Sequence, residues 1–459
     1  MNLLRHFASR PSSSQSRPFL AQLLCIVLLL APASAVRAAS ASGVYEPKPT
    51  NAYFAKFNPR KAPEIGPLFL KEGDRLAIIG DSITEQKMYS RIMETYLTVC
   101  VPQLKVTTRQ YGWSGETAEG FRKRMTNDCL RFQPTIATLC YGMNDHRYRP
   151  FDVMNAAWYR SNYTAVVKSL KAADARVVVG SPGCMSKPAA WGKVLGMTLD
   201  EHNTSLCAYR DVGIGIAERE GGRFADVFWN MMLAGYAGQT RFGTADEPYM
   251  IGGKDGVHPG WAGHVVMAYS FLRAFGLEGA IATVTVDLAA SKAEASAGHK
   301  VEAVANGEVT LTSSRYPFCA TGETNKDNSL RSGMEVVSFN QDLNRFKLVL
   351  KNATAANYKV TWGDTSRNYS SAELAAGVNL AADFAVNPFS EAFKGVDEAI
   401  GAKQAYETTQ VKKIFHGDEG KNDMAAAVKR TEAERAPLVE AIKTAFVPVR
   451  HTIKIQAAE

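Results

Sequence analysis

The chain of 459 residues is longer than one ordinary domain, which usually holds about 100–200 residues. Apolar residues make up 46% of the chain and charged residues 21%, which excludes a globally disordered protein. The formal net charge of +8 arises without any run of five basic residues, so the composition predicts no nucleic-acid partner.

The N-terminus has the three parts of a secretory signal peptide in the correct order. Three arginines precede an apolar run at 19–31, and the small residues Ala-Ser-Ala follow at 33–35. The run is too short to span a bilayer, which needs roughly 20 apolar residues. We therefore predict a signal peptide at 1–35, a lead-in segment at 36–74, and a secreted or periplasmic protein with no membrane contact after cleavage. The alternative is a short buried helix at a globular N-terminus.

From residue 75 to residue 279, short apolar runs alternate with longer amphipathic ones. The short runs predict strands at 75–80, 104–110, 135–141, 176–181 and 224–228. The longer runs predict helices at 88–97, 118–130, 153–172, 199–219 and 261–275. This alternation predicts a parallel sheet in a three-layer α/β domain. Such sheets bind their ligands beyond the carboxyl ends of the strands.

Beyond a boundary near 276–279 the pattern changes to short alternating runs. They predict strands at 282–288, 301–311, 346–349 and 358–362. Two long periodic segments and a short strand then follow, with helices at 388–415 and 424–446, a turn at 416–420 and the strand at 452–455. We predict a C-terminal region, 280–459, made of β-strands and a helical hairpin. The alternative is that the helices dock on the α/β domain as an extra layer and form no separate module.

Four short motifs lie at the ends of predicted strands or just before the last helix of the α/β domain. The motif Gly-Asp-Ser at 80–82 can equally cap a helix. The sequence Tyr-Gly-Trp-Ser-Gly-Glu-Thr at 111–117 can equally be a tight turn. Gly-Met-Asn-Asp at 142–145 can form an Asx-turn, and Asp-Gly-Val-His at 255–258 a loop ion pair. Each motif alone is therefore ambiguous.

Taken together and in order, the four motifs resemble the signature blocks of the SGNH, or GDSL, hydrolases, which are GDS, Gly, G-x-N-D and D-x-x-H. The resemblance covers roughly residues 75–275 and implies a flavodoxin-like α/β/α sandwich. We expect no metal and no cofactor. The resemblance also implies that Ser82 is the nucleophile, that His258 is the general base and that Asp255 orients the imidazole.

The same resemblance implies an oxyanion hole. Its donors would be the backbone N–H of Ser82, Gly115 and the side chain of Asn144. The second block reads Arg-Gln-Tyr-Gly at 109–112, where many members carry an asparagine two residues before the first glycine. This departure does not affect the proposed role of Gly115 as an oxyanion-hole donor.

The chemistry of these residue types agrees with the resemblance. A serine hydroxyl becomes a strong nucleophile only when a neighbouring base accepts its proton, and a carboxylate beside the imidazole fixes the required tautomer. The chain order of serine, aspartate and histidine also occurs in α/β-hydrolases, but the G-x-S-x-G motif of that fold is absent from the sequence.

These features predict a secreted serine esterase whose partner is a small-molecule or polysaccharide ester, an O-acetyl or other short acyl group on a carbohydrate being preferred. An SGNH-type O-acetyltransferase and a lipase or acylhydrolase are the alternatives with the same site. A non-catalytic carbohydrate-binding envelope protein is the alternative from another class.

The remaining chemistry-bearing residues receive structural roles. We expect His264 to be a packing or capping residue, Trp113 and Trp261 to pack in the core, and 147–149 to be a solvated loop. Six cysteines follow the signal peptide, and one or two disulfides would suit an oxidising compartment. Cys140 lies in an apolar run and is expected to be a buried free thiol.

Overall fold

The structure, a computed structural model, describes residues 45–458 except for the side chains of residues 193–195. The signal peptide predicted at 1–35 lies outside the described residues. Within 45–458, no helix is both long and apolar enough to cross a membrane.

The N-terminal half of the described chain is built on five parallel strands. They are β1 Arg75–Gly80, β2 Thr107–Gly112, β3 Ile136–Cys140, β4 Arg176–Gly180 and β5 Arg223–Ala225. Their order in the sheet is β2-β1-β3-β4-β5, so β2 is an edge strand. The helices of this half are α1 Ser82–Glu85, α2 Tyr89–Val99, α3 Ala118–Asp128, α4 Val153–Ala172, α5 Leu199–Glu220, α6 Val227–Phe242 and α7 Trp261–Ala274.

Helices cover both faces of this sheet. In β1, Leu76 and Ile78 belong to the core that includes residues of α2, α6 and α7, whereas Ala77 and Ile79 belong to the core formed with α3, α4 and α5. Burial on both faces explains why the strands are continuous apolar runs. This is the three-layer α/β fold that the sequence predicts.

One strand of this sheet is shorter than predicted. The run 224–228 was expected to be a strand throughout, but β5 ends at Ala225. The Asp226 side chain accepts a hydrogen bond from the Trp229 N–H at 3.0 Å and starts α6, a helix that the sequence analysis did not predict. The helix cap therefore ends the strand.

The C-terminal region adds nine strands in two further sheets. The strands are β6 Ala280–Asp287, β7 Lys292–Ala295, β8 His299–Ala305, β9 Glu308–Ser313, β10 Arg345–Lys351, β11 Asn357–Trp362, β12 Thr365–Ser370, β13 Val378–Asn379 and β14 Val449–Ala458. One sheet has the order β13-β10-β6-β7, and the other, which is antiparallel, has the order β12-β11-β14-β9-β8. The expected β-rich region is thus present.

The segment predicted as one strand at 301–311 is instead a hairpin. Asn306 and Gly307 have φ angles of 52° and 75° and separate β8 from β9. An Asn-Gly pair adopts this left-handed conformation readily, and the chain therefore reverses there.

The remaining helices are five short ones, one of them at the predicted turn, and the two long helices of the predicted hairpin. They are α8 Leu330–Val336, α9 Phe339–Asp342, α10 Ser371–Ala376, α11 Leu380–Asp383, α12 Ser390–Thr409, α13 Asp418–Asn422 and α14 Met424–Ala445. A π-helix, Gln410–Phe415, continues α12, and α12 packs against both α14 and α2.

The hairpin covers the free edge of the parallel sheet at β2. The Lys403 ammonium and the Arg435 guanidinium both donate to the Thr108 carbonyl, at 2.8 and 3.1 Å. The Gln110 N–H donates to Glu407 Oε2 at 3.2 Å. Side chains of the hairpin therefore satisfy backbone groups that an edge strand would otherwise leave unpaired. The domain boundary near 276–279 stays a prediction.

The contact between the hairpin and the sheet contains a buried ion pair network. Lys403 is 1% exposed and lies 2.7 Å from Glu94 and 3.1 Å from Glu407. Burial raises the pKa of Glu407, but Lys403 and nearby arginines outweigh this effect, so that its pKa lies below the usual value. Lys403 therefore compensates both carboxylates, and Arg435, 2.7 Å from Glu407, shares this role at Glu407.

We expect Lys403→Ala to lower the free energy of unfolding by about 3–5 kcal/mol, because it leaves two buried carboxylates without this cation. Urea unfolding followed by circular dichroism measures the change. The exposed Lys394, on the same helix, supplies the control variant Lys394→Ala, which should change stability by less than about 0.5 kcal/mol. Equal stability of the two variants would contradict the anchoring role of Lys403.

All six cysteines between residues 45 and 458 are buried free thiols, and none of them forms a disulfide. The disulfides that the sequence allows are therefore not formed in this part of the chain. Cys140 is the buried thiol that was expected, and its Sγ donates to the Ser181 carbonyl at 3.4 Å.

Candidate active site

Ser82 begins α1 at the carboxyl end of β1, but it does not cap that helix. The Asp81 carboxylate is the cap and accepts a hydrogen bond from the Ile83 N–H at 3.0 Å. Burial raises the pKa of Asp81 to about 7, and the nearby Asp145 and Glu116 add to the rise. Asp81 therefore caps the helix, which the sequence analysis considered as a role for Ser82. The Ser82 hydroxyl instead faces His258.

The structure brings Ser82, His258 and Asp255 together in one chain of hydrogen bonds. His258 Nε2 lies 2.8 Å from Ser82 Oγ, and His258 Nδ1 lies 2.6 Å from Asp255 Oδ2. Since the carboxylate can only accept, the Nδ1–H donates to Asp255 and Nε2 is left to accept from the hydroxyl. The side chains of His258 and Asp255 are 28% and 43% exposed, so water reaches the site.

The loop that carries Asp255 and His258 has a fixed shape. Asp255 Oδ1 accepts the backbone N–H groups of Val257 and His258, both at 2.9 Å. Partial burial raises the pKa of Asp255, but these two N–H groups and the imidazole outweigh it and hold the pKa below its usual value. Gly256 has a φ of +95°, and a Cβ there would lie 2.1 Å from the Lys187 carbonyl oxygen, so only glycine fits this turn.

The second motif lies directly against the helix of Ser82. A Cβ at Gly112 would lie 2.2 Å from the Glu85 nitrogen, so the end of β2 can approach α1 only because residue 112 is glycine. This contact places Gly115, three residues further along, in the loop beside α1, the helix that Ser82 begins. Glu85, which the sequence analysis did not single out, accepts the Ser114 N–H at 2.5 Å.

The third motif is tied to the second by hydrogen bonds. The Asn144 side chain donates to the Glu116 carbonyl at 3.1 Å. The two carboxylate oxygens of Asp145 accept the N–H groups of Ala118 and Gly142, at 2.9 and 3.0 Å. Burial raises the pKa of Asp145 to about 7. Asn144 is therefore held next to the residue that follows Gly115.

Aromatic residues border His258. Trp191 is 49% exposed, and its ring centroid lies 5.9 Å from that of His258. Tyr148 is half-buried and meets Trp191 edge-on at 5.9 Å, so the expected solvated loop at 147–149 is in fact partly packed. No local pattern in the sequence marks Trp191, because its neighbour His258 lies 67 positions further along the chain.

His264 has the structural role that was expected. It is fully buried, and burial lowers its pKa to about 3. Its Nδ1 accepts the Tyr89 N–H at 3.2 Å, so Nε2–H donates to Gln86 Oε1 at 3.1 Å. Trp113 and Trp261 are partly buried and pack against the two cores.

Two cavities differ in character and in distance from His258. A cavity of about 350 Å³ borders Asp255 and His258 but not Ser82, and its lining is polar and apolar in about equal parts, with Lys254, Asp327 and Asn328 among the polar residues. A second cavity of about 660 Å³, largely apolar, lies between β2 and α14 and touches neither Ser82 nor His258. Within 45–458, no three His, Cys, Asp or Glu side chains are grouped to hold a metal ion.

The four motifs lie within a part of the chain that matches a known family. The model of the GDSL-like lipase/acylhydrolase family matches residues 78–266, which contain all four motifs. These residues, fewer than half of the chain, are therefore similar to the SGNH/GDSL hydrolases. The match indicates a hydrolase that acts on ester bonds.

Individual relatives agree with this similarity. An acetylxylan esterase from Geobacillus stearothermophilus is 24% identical over 234 residues, which are 45% of this chain and 95% of the relative. The solved structure of a gut microbial diltiazem-metabolizing enzyme is similar with a TM-score of 0.69 at 21% identity, covering 86% of this chain and 100% of that one. The shared fold therefore extends well beyond the α/β domain.

The acetylxylan esterase Axe2 from Geobacillus stearothermophilus has also been solved. Its structure matches with a TM-score of 0.36 at 21% identity and covers 46% of this chain and 98% of that one.

Proposed function

We propose that the protein is a serine esterase that forms an acyl-enzyme on Ser82. The hydrogen-bonded chain from Ser82 through His258 to Asp255 is the observation that carries this proposal. The Ser82 oxygen attacks the ester carbonyl carbon while His258 Nε2 takes the hydroxyl proton, and Asp255 stabilises the imidazolium that results.

The negative charge that develops on the carbonyl oxygen needs preorganised donors. The N–H groups of Ser82 and Gly115 and the Asn144 amide supply them in this mechanism. His258 then protonates the leaving alcohol, and the same residue later activates the water that releases the acid and restores Ser82.

The preferred substrate is a short acyl ester on a carbohydrate. The cavity beside His258 is small, and Lys254, Asp327 and Asn328 in its lining offer hydrogen-bonding groups that suit a sugar better than a long acyl chain. The exposed ring of Trp191 gives a sugar an apolar face to stack on. The similarity to an acetylxylan esterase agrees with this choice. The basic and apolar pattern at 1–35 supports export of the enzyme to such a substrate.

Water is the preferred acyl acceptor. The partial exposure of His258 and Asp255 lets water reach the acyl-enzyme, which favours hydrolysis over transfer to a sugar hydroxyl. Acetylated xylo-oligosaccharide should therefore release free acetate even when excess unacetylated sugar is present. Acetylation of the added sugar in place of acetate release would instead indicate a transferase.

A fluorophosphonate probe tests the covalent step directly. We expect the folded enzyme to gain one phosphonyl group on the tryptic peptide that contains Ser82, because only an activated serine attacks this electrophile rapidly. Heat-denatured enzyme is the control and should remain unlabelled. Failure to label the folded enzyme, or labelling at a different serine, would overturn the proposed function.

A further inference from the structure

The C-terminal hairpin reaches the helix of the nucleophile. Lys412 lies in the π-helix Gln410–Phe415, and its Nζ is 2.7 and 2.9 Å from the two carboxylate oxygens of Glu85. The two side chains are 26% and 21% exposed, so the pair is partly shielded from water. Lys412 lies outside residues 78–266, which the family model covers.

The same carboxylate holds the loop of the second motif. Glu85 Oε2 accepts the Ser114 N–H at 2.5 Å, and Ser114 directly precedes Gly115. A continuous chain of contacts therefore runs from Lys412 through Glu85 to the backbone that presents the Gly115 N–H.

A second set of contacts joins the hairpin to this loop through Trp113. The Lys412 ammonium lies 5.1 Å from the centroid of the Trp113 ring, and the His416 ring meets the same indole edge-on at 4.9 Å. His416 is itself held by Asp128, with Nε2 2.8 Å from a carboxylate oxygen. The widened turn, in which the His416 N–H donates to the Val411 carbonyl at 3.3 Å, belongs to a type of helix that is frequent at functional sites.

We propose that Lys412 is a positioning residue for the oxyanion hole. It fixes the Glu85 carboxylate, which in turn fixes the peptide between Ser114 and Gly115. Lys412 also balances the negative charge of Glu85. This charge lies one helical turn from Ser82 and would otherwise oppose the developing oxyanion. This role rests on the proposed function, and it makes the C-terminal region part of the active-site support.

The test compares kcat and KM for a short-chain nitrophenyl ester. We expect Lys412→Met, which keeps the aliphatic stem, to lower kcat about 10- to 100-fold while KM stays within about twofold, because the donor is misplaced mainly in the transition state. Lys412→Arg should restore most of the activity. Lys413→Ala, at the exposed neighbour on the same helix, should leave both constants unchanged.

A double-variant cycle shows whether Lys412 acts through Glu85. In the Glu85→Gln background, the change Lys412→Met should lower kcat by less than about twofold, because the carboxylate charge that Lys412 holds is already absent. Wild-type kcat in Lys412→Met, or a full effect in the Glu85→Gln background, would overturn the positioning role. A kcat above about one-hundredth of the wild-type value in Ser82→Ala would instead overturn the proposed function itself.

Discussion

Ser82→Ala is expected to lower kcat for nitrophenyl acetate by about 10⁴- to 10⁶-fold, because no other atom then accepts the acyl group. KM should change little, since the hydroxyl contributes mainly to the covalent step. The variant should fold normally, because Asp81, and not Ser82, caps α1. Initial rates measure the loss, and thermal unfolding checks the fold.

The residual rate of this variant is informative. The oxyanion donors remain, so a small rate above the uncatalysed reaction should persist. Ser161→Ala, at an exposed serine of α4, is the matched control and should retain wild-type kcat. If Ser82→Ala keeps more than about one-hundredth of the wild-type kcat, Ser82 is not the nucleophile.

The α/β domain was predictable because its signals are local. A strand buried on both faces must be apolar throughout, as in Arg75–Gly80, and helices with one buried face show the corresponding period. Two differences between the predicted and the observed elements depend on single capping and turn residues. Asp226 ends β5 and starts α6, and the pair Asn306 and Gly307 divides one predicted strand into two.

The core of the candidate site was predictable for a different reason. The motifs at 80–82 and 255–258 have fixed residue types at fixed spacing, and the carboxyl ends of parallel strands gather at one edge of a sheet. The site's surroundings were not predictable, because they are made by contacts between distant parts of the chain. Lys412 meets Glu85 across 327 positions, and Trp191 meets His258 across 67. Neither pair leaves a local pattern.

Asp255→Asn is expected to lower kcat by about 10²- to 10⁴-fold. An asparagine can keep one oxygen on the N–H groups of Val257 and His258, but it then turns its amide N–H groups toward His258 Nδ1. The imidazole would then carry its proton on Nε2. A protonated Nε2 cannot accept the proton of the Ser82 hydroxyl. Because residue 255 is partly exposed, a water molecule can accept the His258 Nδ1–H in place of the carboxylate. The loss of kcat should therefore be smaller than for Ser82→Ala.

Steady-state rates with nitrophenyl acetate, together with fluorophosphonate labelling rates, separate this effect from a change in substrate binding. Both rates should fall together, because proton transfer from Ser82 limits both reactions. Asp246→Asn, at an exposed loop position, is the control and should leave them unchanged. A wild-type labelling rate in Asp255→Asn would mean that the carboxylate does not set the tautomer of His258, and the role of Asp255 would then be confined to shaping the loop through its backbone hydrogen bonds.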